Sequence, residues 1–268
     1  MKTPSYIHSD LFAYLASFPQ LMNENTNPSD ISEVVFKAML SDLEMLFDGP
    51  LIVPTYNYQF TKSRHYHVSD DPSEVGQFSE LFRQKYKSKR TPAPVFSNAC
   101  NQPDCLSRDL PSQVDPFDIG SDFDSLSKNA GNIVTFGSPF APTFILYIER
   151  QIPDGPLYRF DKFFDGTVTD IDEVEHSTKL KLHVRPLDAI VRYDLNRIEK
   201  DLFDKGILTK HVLKDSFQYS LCRADAFVEY ALLELQRDPL YLLTQDSRDY
   251  FDQTDAFRNG RVRLEDFE

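Results

Sequence analysis

The order strand, helix, strand at the start of the chain constrains its fold more than any other feature. Ser5-Tyr6-Ile7-His8 is a short β-like run that ends in a polar turn at Ser9-Asp10. Leu11, Tyr14 and Leu15 then recur at helical spacing, and a second helical period runs through Val34, Val35, Met39, Leu40, Leu43 and Leu46. Asp48-Gly49-Pro50 ends that helix, and Leu51-Ile52-Val53 follows as the short, continuous apolar run of a buried strand. A β-α-β order points to an α/β fold, in which ligands gather at the C-terminal ends of the strands. In this chain those ends are His8-Ser9-Asp10 and Pro54-Thr55-Tyr56-Asn57-Tyr58.

Further elements continue the pattern. Asn132 to Phe136 reads as a second apolar strand closed by Gly137-Ser138-Pro139, and Phe144 to Arg150 as a helix. Tyr158 to Phe164 alternates aromatic and charged residues, as a half-exposed strand does, and Leu180 to Val184 is another strand. Ile198 to Phe203 and Ala224 to Gln236 read as helices, and Asn98 to Phe123, broken by Pro103, Pro111 and Pro116, as loop. With no internal repeat or low-complexity linker, residues 1–268 read as a single domain with an appended helical C-terminal part from about 186.

Composition removes several function classes. The net charge is −13 and the pI about 4.9, a poor match to a phosphate backbone, so nucleic acid is not an expected partner. No run approaches the roughly 18 apolar residues of a membrane helix, and the N-terminus has no apolar targeting region, so the expected location is cytoplasmic. Cys100, Cys105 and Cys222 are odd in number and fit no zinc spacing, which reads as reduced thiols. His65 and His67 flank Tyr66 with nothing nearby to complete a ligand set, so no metal is expected. The phosphate-binding, dinucleotide, nucleophile-elbow and zincin motifs are all missing from the sequence.

The stretch from Asp71 to Ser97 carries the most chemistry. Pro72-Ser73 signals a helix start with Ser73 as its cap, and Val75, Phe78, Phe82 and Tyr86 form the apolar face. Gly76 in the first turn costs up to ~1 kcal/mol against a better helix former, but it lets another group approach the backbone closely. Free N–H groups there suit a phosphate, carbonyl or thioester oxygen. Glu80 and Arg83 stand three residues apart, as a surface pair would.

Taken together, these segments resemble the aminoglycoside 3-N-acetyltransferase family. A strand ending in His and Ser is similar to Ile7-His8-Ser9-Asp10-Leu11, and the family's second segment to Gly49-Pro50-Leu51-Ile52-Val53-Pro54-Thr55-Tyr56. The third and most specific runs unbroken from Pro72 through Arg83. The fourth resembles Arg90-Thr91-Pro92-Ala93-Pro94-Val95-Phe96-Ser97 without its two histidines. The fifth is similar to Thr143 through Glu149, and a Tyr-Arg-x-x-Lys segment follows at Tyr158, Arg159 and Lys162.

The resemblance implies a three-layer α/β/α fold with a central mixed sheet, distinct from the GNAT fold, and acetyl-CoA or another acyl-CoA as co-substrate. It implies that Ser9, Ser73, Val75, Gly76, Arg90 and Ser97 hold the acyl donor, and that His8 lines the same cleft. Direct transfer of an acyl group to an amine requires a neutral amine, donors aimed at the thioester oxyanion, and a base. In the family the fifth segment carries a histidine as base, oriented by a glutamate; here the positions are Leu146 and Glu149. Three explanations stay open: a base elsewhere (His8, His67 or Glu80), a relative that binds CoA or sugar without catalysis, or a substitution at a catalytic position.

The expected partner is a small-molecule amine, with homo-oligomers compatible. Tyr58, Tyr158, Arg159 and Lys162 are the expected acceptor contacts. Their rings and cations suit an amino sugar, nucleotide-linked, of surface polysaccharide synthesis; an aminoglycoside is the alternative acceptor.

Overall fold

The computed structural model describes residues 2–22, 27, 30–103, 105–107, 109–186, 189–214 and 216–253. In chain order the elements are β1 (Ser5–Ser9), α1 (Leu11–Ser17), α2 (Ile31–Leu46), β2 (Leu51–Pro54), α3 (Phe60–Ser63), β3 (His65–His67), α4 (Gln77–Lys85), β4 (Asn98–Cys100) and β5 (Gln113–Val114). Then come α5 (Asp122–Lys128), β6 (Asn132–Phe136), α6 (Ile145–Arg150), β7 (Phe160–Thr169), β8 (Glu175–Val184), α7 (Leu195–Asp204), β9 (Leu208–Leu213), β10 (Phe217–Arg223), α8 (Ala224–Arg237) and α9 (Gln245–Gln253).

Among the described residues, six strands form the main sheet in the order β4-β2-β1-β6-β10-β9. β1 runs parallel to β2 on one side and to β6 on the other, while β4, β10 and β9 pair antiparallel with their neighbours. The alternation of side chains splits this sheet between two cores. Ile7, Leu51, Val53 and Val134 face α1, α2 and α4, where Leu11, Leu43, Phe78 and Phe82 meet them. Tyr6, Ile52, Ile133 and Cys222 face α5 to α8, where Phe123, Ile148, Ile198 and Phe227 meet them. This is the expected three-layer α/β/α arrangement around a mixed sheet.

A second mixed sheet, β3-β7-β8-β5, stands beside the first on a core of Phe60, Tyr66, Val168 and Leu180. Sequence reading found only part of it: β7 extends past Gly166 to Thr169, and β8 begins at Glu175. β4 and β5 lie inside the stretch read as loop, and α5 begins at its end. The part after 186 is no helical appendage, because β10 pairs with β6 from Tyr219↔Phe136 to Arg223↔Asn132 and so completes the main sheet.

Of the three cysteines, Cys100 and Cys105 stand side by side with Cα atoms 6.6 Å apart, within the span of a disulfide, and Cys222 is free and buried. Gly49, just before β2, is required by space: a Cβ there would run into the carbonyl of Thr3. Among the described residues no helix is long and apolar enough to cross a membrane.

Candidate active site

β1 lies between β2 and β6, so the chain leaves it towards one side first and returns on the other. The crevice outside the C-terminal ends of these strands is where an open α/β sheet binds ligands. His8 and Ser9 end β1 there; Asp10 turns the chain by accepting the N–H groups of Phe12 and Ala13 as the cap of α1. Ser138, beyond β6, donates its hydroxyl to the carbonyl of His8 at 3.1 Å. Burial lowers the imidazole of His8 to about 4, so it is neutral at pH 7. Its Nε2 is buried with no hydrogen-bond partner.

The loop from Pro72 to Gly76 is fastened to the exit of β2. The Glu74 N–H donates to the Tyr56 carbonyl at 2.8 Å, and Asn57 Nδ2 donates to the Pro72 carbonyl at 2.9 Å. The Glu74 carboxylate accepts the Tyr58 N–H at 2.9 Å and Gln59 Nε2 at 2.6 Å. Ser73 is not the helix cap. Gly76 holds that position with φ 119° and ψ 157°, a conformation that only glycine adopts readily, and it gives α4 no side-chain cap. Space is not the constraint, since nothing lies within 4 Å of where a Cβ would stand. The Ser73 hydroxyl is left buried and without a partner. Val75 is half-buried in the same loop.

Three expected site residues hold this loop instead of facing a ligand. The Arg90 guanidinium, 1 % exposed, donates to the Thr55 carbonyl at 2.5 Å, to the Val68 carbonyl at 3.0 Å and to the Asp71 carbonyl at 2.5 Å. Its Nε donates to Ser97 Oγ at 3.1 Å, and Ser97 Oγ donates to the Thr55 carbonyl at 2.8 Å. Both side chains are therefore committed to protein partners beneath the loop. Glu80 accepts from Arg83 Nη2 and from the Ser73 N–H, both at 2.7 Å. Burial raises its carboxyl, but Arg83, Ser73 and Gln84 outweigh that and hold it down at about 2. Such a carboxylate is a poor proton acceptor at neutral pH.

A cleft of about 540 Å³ opens between α6 and the second sheet. Tyr58, Phe96, Thr143, Leu146, Arg159, His183, Arg185 and Tyr193 contribute to its wall, and no aspartate or glutamate does among the described residues. Leu146 presents an aliphatic surface at the position of the expected base. Glu149, one turn further, is fully buried with Oε2 2.5 Å from Arg159 Nε, and Tyr158 donates its hydroxyl to Oε1 at 2.8 Å. Burial opposes the Arg159 charge, but the Glu149 carboxylate overcomes it and raises the guanidinium above its usual range. Glu149 thus has no histidine to orient, and neither it nor Tyr158 meets the cleft.

Of the expected acceptor residues, Tyr58 and Arg159 line the cleft, and Tyr158 and Lys162 do not. Arg159 also donates to the His183 carbonyl at 3.1 Å and to the Tyr193 hydroxyl. Lys162 lies exposed on β7 with its amine 5.6 Å from the Phe164 ring. His67 is bonded through Nε2 to Glu173 at 3.1 Å on the second sheet, outside the crevice. No group of side chains able to hold a metal ion exists among the described residues.

Sequence reading missed a buried polar chain behind the cleft. Tyr6 Oη lies 2.5 Å from Tyr56 Oη, Tyr6 donates to Asn98 Oδ1 at 2.9 Å, and Asn98 Nδ2 donates to Asp122 Oδ2 at 2.8 Å. Thr143, just before α6, lines the cleft in front of them. Tyr6 comes from β1, Tyr56 from the segment after β2, Asn98 from β4 and Asp122 from α5, and no local spacing signals their meeting.

No protein-family model matches this chain, and no curated protein does. Solved structures do. An aminoglycoside acetyltransferase AAC(3)-IVa apoenzyme superposes with a TM-score of 0.61 at 18 % identity, over 96 % of this chain and 90 % of its own. Aminoglycoside acetyltransferase AAC(3)-Xa gives 0.62 at 14 % identity, over 90 % and 88 %. AAC-IIIb in a binary complex with CoASH gives 0.62 at 12 % identity, over 88 % and 90 %. The fold of this chain is thus the aminoglycoside 3-N-acetyltransferase fold.

Proposed function

We propose that this protein is an acyl-CoA-dependent N-acyltransferase. The observation that carries the reading is the pair of buried, unpartnered polar atoms, His8 Nε2 near the end of β1 and Ser73 Oγ in the loop fastened to the exit of the adjacent strand β2. Buried polar groups are ordinarily paired, and an unpaired group at a strand-end crevice is one that a ligand can satisfy. A similar structure holding CoASH on the same fold supports acyl-CoA as that ligand.

In this reading the uncapped start of α4 and Ser73 offer hydrogen-bond donors to the thioester oxygen. The acceptor nitrogen attacks the carbonyl carbon, the C–N bond forms, and the C–S bond breaks. The neutral imidazole of His8 takes the proton released by nitrogen and returns it to the departing thiolate. The donor is acetyl-CoA or a close analogue.

For the acceptor, aminoglycosides are the class that similar structures support, since one such protein is bound to sisomicin. Of the residues named for an amino-sugar acceptor, Tyr58 and Arg159 line the cleft, whereas Tyr158 is buried against Glu149 and Lys162 lies outside it. A second reading, a CoA-binding relative without catalysis, is favoured by one observation, the leucine at position 146 on the cleft wall. Thiol release from acetyl-CoA separates the two, with sisomicin and simple primary amines as acceptors. Amine-dependent release supports the transferase; CoA binding with no release for any amine supports the binding protein.

A further inference from the structure

We infer that His183 binds the amine substrate, its Nε2 accepting an N–H from the molecule that enters the cleft. The inference deepens the transferase reading and rests on it for the identity of that molecule.

The pairing of β7 with β8 places this imidazole. Asp161 stands directly opposite His183 in the ladder, and its Oδ1 lies 3.1 Å from Nδ1. Arg150, from α6, donates to the same oxygen at 2.6 Å, and Lys181 Nζ stands 3.2 Å from the other. Arg150 is held in turn by Asp115, to which its Nε donates at 2.9 Å. Arg150 Nη1 also comes within 3.1 Å of Nδ1. The carboxylate is the nearer acceptor and the charged one, so it takes a hydrogen from each, and Nδ1 carries the imidazole proton. Nε2 is thereby left with a lone pair and no hydrogen.

Nε2 is buried without a hydrogen-bond partner, in a side chain wholly closed to water. His183 contributes to the cleft wall, whereas Asp161 and Arg150 do not. The Nδ1 edge of the ring is therefore engaged away from the cleft, and Nε2 is the polar atom that the ring has left to offer. Buried polar groups are ordinarily paired, and an N–H brought in by a ligand pairs this one. The charged residues beside it on the wall are donors without a lone pair. Arg159 is committed to Glu149, the His183 carbonyl and the Tyr193 hydroxyl, and Arg185 is exposed and donates to the Val191 carbonyl. On the helix side of the cleft, Leu146 can hold nothing polar. Burial lowers the His183 imidazole to about 3, with Arg150 and Arg159 adding to the effect against the bond to Asp161. The ring is thus neutral at pH 7 and keeps its lone pair for a donor.

The test is nitrogen NMR of 15N-labelled, CoA-loaded protein titrated with benzylamine and with sisomicin, independent of turnover. The chain has six histidines, and the His183 signals are those that vanish in His183→Asn, or in His183→Gln if the first variant does not fold. Without amine, Nε2 resonates as an unprotonated imidazole nitrogen; as amine binds it moves upfield, and Nδ1 stays protonated. The asparagine amide can still donate to Asp161 but puts nothing at the position of Nε2, so the structural bond is kept and the ligand's partner is lost. By calorimetry His183→Asn weakens amine binding by roughly three- to tenfold, with CoA affinity unchanged. A protonated Nε2 in the protein without amine, no shift with amine bound, wild-type amine affinity in the variant, or failure of the wild type to bind either amine overturns the inference. The expected spectra and affinities without thiol release overturn the transferase reading and leave the inference standing.

Discussion

Glu149 Oε2 and Arg159 Nε meet 2.5 Å apart, with the carboxylate wholly closed to water. In the fold to which this chain is similar, a glutamate at this position is expected to orient a histidine; here it neutralises an arginine. Removing one partner of a buried pair strands the other's charge. Glu149→Gln should therefore destabilise the protein by about 3–5 kcal/mol, read as a lower urea midpoint with unchanged slope. A midpoint within error of wild type would show that water reaches Arg159.

Leu146 stands on the cleft wall with Thr143 one turn before it. Leu146→His restores an imidazole to the expected base position. General-base catalysis contributes typically ~10²–10⁴-fold, and thiol release should rise by at least the lower end of that range. An unchanged rate would place the reacting amine away from α6.

Gly76 has φ 119° and ψ 157° with open space around it, so the cost of a side chain there is conformational alone. Gly76→Ala should cost about 1–3 kcal/mol. Because strain is relieved by moving the loop, CoA affinity should fall as well, measured by titration under conditions where the variant stays folded. Full affinity would remove the loop from the donor site.

The neutral state of His8 makes stability depend on pH. Its folded value is lowered to about 4 against 6.5, so between these values the unfolded chain binds more protons. The contribution is fully present above pH 6.5 and is lost as pH falls towards 4. His8→Gln should flatten the wild-type slope across that window, with denaturation curves at successive pH values as the measurement. An unaltered slope would mean that His8 is hydrated.

Sequence reading reached the parts of this fold that announce themselves locally. β1, α2, β2 and β6 are apolar runs or clean helical periods, and the loop at Ser73 to Gly76 carries a motif. β9 and β10 were missed because residues of both strands stay partly open to solvent: Thr209, Lys210 and Val212 interrupt the pattern of a buried strand. α5 was hidden by the prolines before it. Arg90 reads from the sequence as a donor contact and Glu80 as a candidate base, whereas in the fold they are bonded to backbone carbonyls, to an N–H and to Arg83. Tyr6 and Tyr56 are fifty residues apart in the chain, and Tyr6 and Asn98 ninety-two. Only the pairing of β1 with β2, and of β2 with β4, puts them in contact.

The central claim, acyl transfer through the crevice at His8 and Ser73, is tested most directly by product stoichiometry. Incubation with acetyl-CoA and an amine, followed by mass spectrometry, should give acetylated amine and free CoA in equal amounts, with both lost together in His8→Gln while CoA binding persists. Free CoA without acetylated amine, or no product from any amine beside intact CoA binding, would contradict it.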